Sequence, residues 1–336
     1  MALIAKEYRG ALADLYHHGH IVVTDTEGNI LWQLGDPERV TYSRSSAKLF
    51  QVLPVILSGA AEAYGITDKE LAFMCASHKG EEFHTDAVLS ILKKAGLDDS
   101  YLQCGIHYPY AEYAADKLKI NGEEPKTMHN NCSGKHSGFL ITAKMLGESL
   151  DDYYMPHHPR QKDVTEIIAN MCGYPADKIV MGVDGCGMPV HAMPIYKFAQ
   201  GLARMSKPET IGDEAISKAV NRITNAVTTY PEMVDGTGGF TTELMQVFGD
   251  RLFCKSGANA FYAVGIKDKG IGIAMKMDEA RSNIVPIAIL ETLVQIGVIT
   301  RDEAELLPSY KPEIILRNHK KEEIGKVVAE FVLEKK

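Results

Sequence analysis

The two ends of the chain carry apolar runs broken by turn residues, and the middle repeats its apolar positions at helical spacing. Near the start, HIVVTDTEGNILWQLGD (20–36) is an apolar run, a Glu-Gly-Asn turn and a second apolar run. Near the other end, NAFYAVGIKDKGIGIAMKM (259–277) repeats the arrangement around Lys-Asp-Lys-Gly. Both read as β-hairpins. Between them, SAKLFQVLPVILSGAAEAYG (46–65) places Leu49, Val52, Leu53, Ile56 and Leu57 on one helical face. FHTDAVLSILKKAGL (83–97) does the same with Val88, Ile91 and Leu92. Further helices are predicted over 138–147, 160–173 and 215–231, and a long apolar one over 286–299 to cover a face of the sheet. There is no internal repeat, low-complexity tract or linker. The pattern predicts an α/β (α+β) fold. Residues 1–40 and 250–336 would build one antiparallel sheet with its covering helix, and the mostly helical 41–249 would be inserted between its halves in one compact catalytic unit.

Composition narrows the partners. Lysine and arginine number 36 against 44 aspartate and glutamate among 336 residues, a formal charge of −8. That balance disfavours nucleic acid or an anionic membrane surface. The first residues show no basic start followed by an apolar stretch, and no run approaches the roughly 20 apolar residues of a membrane span. A cytoplasmic setting is the expectation. The six cysteines, Cys75, Cys104, Cys132, Cys172, Cys186 and Cys254, are too sparse for a disulfide scaffold.

Four short stretches carry chemistry. In YSRSSAK (42–48), Ser45 and Lys48 stand three apart where the chain enters a helix. That spacing brings their Cβ atoms to about 5–6 Å on one face. A lysine whose proton is destabilised by burial can activate a serine hydroxyl; the plain alternative is a capping serine and a solvated lysine. CKSGANA (254–260) opens the late hairpin with Lys255-Ser256-Gly257. A Lys-Ser/Thr-Gly strand facing a Ser-x-x-Lys helix is the pairing of penicillin-recognising serine enzymes. CASHKGEEFH (75–84) offers Ser77 as a second hydroxyl for a lysine from elsewhere, or else a turn serine followed by an exposed helical His84. Finally, HNNCSGKHSG (129–138) and VMGVDGCGMPV (180–190) contain Cys132 and Cys186, which could share a zinc or be two unrelated buried thiols. Zinc takes four donors, with His129, His136 and the less usual Lys135 as the nearby nitrogens.

These residues together resemble the rhizobial-type, or thermolabile, L-asparaginases. The resemblance spans most of the chain and rests on HHG (17–19), GD (35–36), SRSSAK (43–48), ASHKGEEFH (76–84), CGIHYP (104–109), HNNCSGKHSGFL (129–140), VDGCGMPVHAMP (183–194) and KSGA (255–258). It implies a serine β-lactamase/glutaminase-like fold and hydrolysis of the asparagine side-chain amide through a serine acyl-enzyme. It implies Ser45 as nucleophile with Lys48 as base, a second pair Ser77–Lys255, and substrate contacts from Arg44, His136 and Asp184. It implies zinc on Cys132, Lys135 and Cys186 plus a water held by Asp184, and a homodimer. The chain departs from the family's Gly-Ala-Glu-Gly at Gly257-Ala258-Asn259-Ala260, and from its Arg-x-Asp in PEMVDGTGGFTTELM (231–245), where Gly239 and Thr241 stand. The serine is preceded by Ser43-Arg44 and the lysine followed by Leu49, where the family has prolines. Two rivals remain: a glutaminase or other amide or peptide hydrolase of the same fold, and a zinc-binding protein without turnover.

Overall fold

The computed structural model describes residues 2–336. Its strands are β1 (Ala2–Arg9), β2 (Leu12–Thr24), β3 (Ile30–Leu34), β4 (Val40–Tyr42), β5 (Val180–Val183), β6 (Pro189–Pro194), β7 (Leu252–Gly257), β8 (Phe261–Ile266), β9 (Ile271–Met277), β10 (Glu313–Arg317), β11 (Glu323–Ala329) and β12 (Glu334–Lys335). Nine of them form one sheet in the order β10-β11-β1-β2-β9-β8-β7, with β3 also on β2 and β12 on β3. A small second sheet runs β4-β6-β5. The pairings within both sheets are antiparallel. Both expected hairpins are present as β2–β3 and β8–β9, and they join where β2 pairs β9 from Gly19↔Met277 to Thr24↔Gly272. The mixed α/β architecture, with one antiparallel sheet made from both chain ends, is therefore as the pattern predicted.

The main cover of this sheet is a helix that the sequence reading did not name. Ile195–Ser206 buries Ile195, Phe198, Ala199, Leu202 and Ala203 against the sheet. Ile195, Phe198, Leu202 and Met205 recur at helical spacing, with the small residues Ala199 and Ala203 beside them. The same smallness lets the helix backbone approach closely. A β-carbon on Gly272 of β9 would lie 2.0 Å from the Ala199 carbonyl and 2.4 Å from the Ala203 nitrogen. The anticipated apolar helix, Val285–Gln295, is buried from Val285 to Leu290 and packs near β11.

The helix read over 46–65 is broken in the structure. A 3-10 turn, Arg44–Ala47, leads into Lys48–Gln51, Leu53–Leu57 and Ala60–Ala63. Pro54 opens the second piece, and Gly59 separates the last with φ = 83°, a conformation that costs glycine little. Among the described residues no helix is long and apolar enough to cross a membrane, and all six cysteines are free.

Replacing Gly272 by alanine should force strand and helix apart and destabilise the protein by about 1–3 kcal/mol, as overpacking does. A urea midpoint equal to that of the unsubstituted protein would count against this close approach.

Candidate active site

The turn that carries Ser45 is clamped between the two sheets. On one side Ser43 donates to the His191 carbonyl of β6 through its backbone N–H (3.3 Å) and its hydroxyl (3.4 Å). On the other, Ser46 Oγ donates to the Lys255 carbonyl (2.9 Å). Strand β7 is the last in its sheet, so that carbonyl faces the turn rather than another strand. Gly257 makes the approach feasible, because a β-carbon there would lie 2.7 Å from the Ser43 carbonyl and 3.0 Å from Ser46 Oγ. Arg44 occupies the left-handed region at φ = 50°, a strained state for a residue with a side chain. Its guanidinium is held at Asp184 Oδ1 through Nε (3.0 Å) and Nη2 (2.5 Å).

Two lysines lie buried behind this turn. Lys48 is 1% exposed and Lys255 0%. Lys255 Nζ donates to Ser77 Oγ (2.9 Å) and to the Ser256 carbonyl (2.9 Å). Lys48 Nζ reaches the same Ser77 Oγ (3.3 Å), the carbonyls of Ala76 and Asn131, and Cys132 Sγ (3.3 Å). Ser77 Oγ is thus shared by both amines, which the spacing in the sequence could not foretell for Lys48. Among the described residues no hydrogen bond joins Ser45 Oγ to Lys48. The lysine is drawn inward by two carbonyls, and Ser45 is left facing the cavity. Burial, and then the charge of Lys48, push the Lys255 amine down to about 7, with Asp235 acting against them.

The thiols also meet. Cys186 lies 3.5 Å from Lys135 Nζ, and Cys132 and Cys186 are hydrogen-bonded partners. The hydrogen bond from Cys132 and the charge of Lys135 pull Cys186 down against its burial, while that bond and burial push Cys132 up. Burial alone would lower Lys135, yet Cys186, Cys132 and Asp184 together raise it. In the structure Lys135 Nζ meets the Cys186 sulfur as a hydrogen-bond donor.

The zinc expected on Cys132, Lys135 and Cys186 is corrected accordingly. Among the described residues no group of three or more His, Cys, Asp or Glu side chains is placed to hold a metal ion. His129 Nδ1 accepts from the Lys126 N–H (2.8 Å). His136 is fully buried, its Nδ1 bonded to the Tyr153 hydroxyl (2.7 Å) and its Nε2 left without a hydrogen-bond partner among the described residues, beside Cys186. The reading of this chain as a zinc-binding protein without turnover has nothing to support it. His84, read as exposed, is instead buried, its Nδ1 accepting from Glu81 N–H (3.2 Å) and its Nε2 donating to the Glu232 carbonyl (3.1 Å).

A cavity of about 560 Å³ opens over the two serines. Ser45, Ser77, Ser256 and Gly257 line it, and so do Gly239 and Thr241 from the stretch singled out for its departures. Arg44, His136 and Asp184, expected to touch substrate, are not part of its lining. Lys79, Asn131 and Asp235 are, and the sequence reading had passed over them. The signal for Asp235 lay within PEMVDGTGGFTTELM, where attention went to the residues that follow it.

Two serine hydroxyls on one cavity, one of them bonded to two buried amines behind it, are the equipment of acyl transfer by an activated serine. Comparison with known proteins agrees. The family model described as L-asparaginase II matches residues 5–329, and the chain belongs to that family. It is accordingly an asparaginase, an amidohydrolase with asparagine as substrate. No curated protein matches the sequence. Among solved structures, one described as a beta-lactamase from Bacteroides dorei DSM 17855 is 11% identical, with 81% of this chain and 92% of that chain covered and a TM-score of 0.41. Mglu in its native form at 4.3 M NaCl is 14% identical over 84% of this chain and 61% of that one, with a TM-score of 0.38. A second Mglu structure is 13% identical over 83% and 67%, with a TM-score of 0.36.

Gly257→Ala should displace the Ser45 turn from β7. A misplacement on the ångström scale costs about 10²-fold in turnover, so asparagine hydrolysis should fall by that order while far-UV circular dichroism stays unchanged. Undiminished kcat in a folded variant would contradict the role given to this contact.

Proposed function

We propose that the protein is an asparaginase of the rhizobial type that works through an ester on Ser45, with Lys48, Ser77 and Lys255 as its proton-handling chain. The observation that carries this reading is Ser77 Oγ lying within reach of both buried amines in the cavity that Ser45 also lines. Ser45 Oγ attacks the side-chain amide carbon, and its proton passes to Lys48 or, through Ser77, to neutral Lys255. The oxyanion falls to backbone N–H groups of the Ser45 turn and the β7 edge, donors worth about 3 kcal/mol each. The carbon–nitrogen bond then breaks, and the nitrogen leaves as ammonia with that proton. Water attacks the ester, gives a proton to the same chain, and Ser45 regains its hydrogen as aspartate departs. Arg44 and Asp184 hold the turn from outside the cavity, and Cys132, Cys186 and Lys135 form a charged support beneath Lys48. The sheet part, 1–40 with 250–336, and the helical part, 41–249, act as one catalytic unit in a cytoplasmic homodimer. Nucleic acid and membrane have no part in the reaction.

Two measurements check this. Acid quenching during turnover, followed by peptide mapping, should find the aspartyl ester on Ser45. Ser45→Ala should abolish both ester and ammonia release, whereas Ser77→Ala should keep a slow ester on Ser45. An ester on Ser77 would reverse the two assignments. Only the neutral form of Lys255 can accept a proton, so kcat/KM should rise with pH through an apparent pKa near 7 and fall tenfold per unit below it. A flat profile across that range would remove Lys255 from the proton path.

A further inference from the structure

The cavity is larger than the reacting amide needs, and its far wall has a chemistry of its own. Phe240, Tyr262 and Tyr310 line it as a connected aromatic surface, with Phe240 ring centroids 5.4 Å from Tyr262 and 5.1 Å from Tyr310. Set in that wall is one carboxylate, Asp235. The chain brings it close to the reacting groups, since the Ser77 N–H donates to the carbonyl of Val234 (3.0 Å), the residue just before it.

The carboxylate is only partly engaged. Asp235 Oδ2 accepts from the Thr241 backbone N–H (3.1 Å), and among the described residues no hydrogen bond reaches Oδ1. The neighbouring cations are committed elsewhere: Lys79 Nζ to the Thr237 carbonyl (2.9 Å), Lys255 Nζ to Ser77 and Ser256. Space has been kept for the carboxylate, because a β-carbon on Gly239 would lie 2.4 Å from Asp235 Oδ2. Burial holds the Asp235 carboxyl above its usual range against the pull of Lys255 and Lys79. Its ionised form therefore gains from an incoming cation. A carboxylate among aromatic faces is suited to an ammonium group, which both can attract.

We infer that Asp235 is a specificity residue of this cavity, receiving the α-ammonium group of the substrate while Ser45 attacks its side-chain amide. This rests on the asparaginase reading and adds the group by which the substrate is selected. In asparagine three bonds separate the amide carbon from the α-nitrogen, so the two lie within about 4 Å. A carboxylate following directly on the segment bonded to Ser77 suits so short a substrate. The site then discriminates against the same amide without its amine.

The test compares asparagine with succinamate, which keeps the amide and the carboxylate and lacks the α-amine. The unsubstituted protein should prefer asparagine in kcat/KM by about ten- to hundredfold, the range of one charge-assisted hydrogen bond. Asp235→Asn keeps an oxygen for the Thr241 N–H and removes the charge. It should raise KM for asparagine by a similar factor and bring the two substrates level in kcat/KM when both are measured at the same pH. A preference that survives Asp235→Asn overturns the assignment, as does equal use of both amides by the unsubstituted protein, a result that needs no variant to fold. If the unsubstituted protein released ammonia from neither compound, the asparaginase reading itself would fail instead.

Discussion

Two buried lysine amines converge on one serine hydroxyl, and an apolar interior does not tolerate two adjacent ammonium groups without compensation. Lys48 has carbonyl acceptors at Ala76 and Asn131 and a sulfur at Cys132. Lys255 has the Ser256 carbonyl and the shared hydroxyl. Burial, and then the charge of Lys48, bring the Lys255 amine down to about 7. A lysine that is half neutral near pH 7 is a base; the same side chain in water is not.

That pairing sets conditions on the architecture. Lys255 must lie on the outermost strand of the large sheet, because its carbonyl also anchors the Ser45 turn. The turn must come within touching distance of β7, which Gly257 permits. Ser77 must arrive from the segment that follows the helix Asp68–Met74. Close backbone packing is the common device: Gly257 admits the turn, Gly272 admits the covering helix, and Gly239 admits the Asp235 carboxylate.

Much of this was legible in the sequence. Turn residues between apolar runs marked both hairpins; Ser-x-x-Lys marked Ser45 and Lys48, Lys-Ser-Gly marked Lys255, and Ser77 stood out in CASHKGEEFH. The helix Ile195–Ser206 was missed although Ile195, Phe198, Leu202 and Met205 recur at helical spacing in it. The partner of Lys48 was hidden because helical spacing speaks only of neighbours on the same helix, whereas its amine reaches across to the 76–77 segment. His84 looked exposed because a polar residue at a helix start usually is; here both ring nitrogens close backbone bonds inside the fold. Lys135 meets Cys186 as a hydrogen-bond donor, and among the described residues no group of three or more His, Cys, Asp or Glu side chains is placed to hold the metal inferred from the resemblance.

The central claim is that Lys255 exchanges its proton near neutrality because it is buried beside Lys48. Carbon-13 labelling of the lysine ε-carbons, followed by nuclear magnetic resonance across a pH titration of the full chain, reads this directly. The account predicts one resonance moving with a midpoint near 7, absent from the spectrum of Lys255→Met. If every lysine titrated at the ordinary value of about 10.4, the amine pair would be two ammonium groups and the account would be wrong.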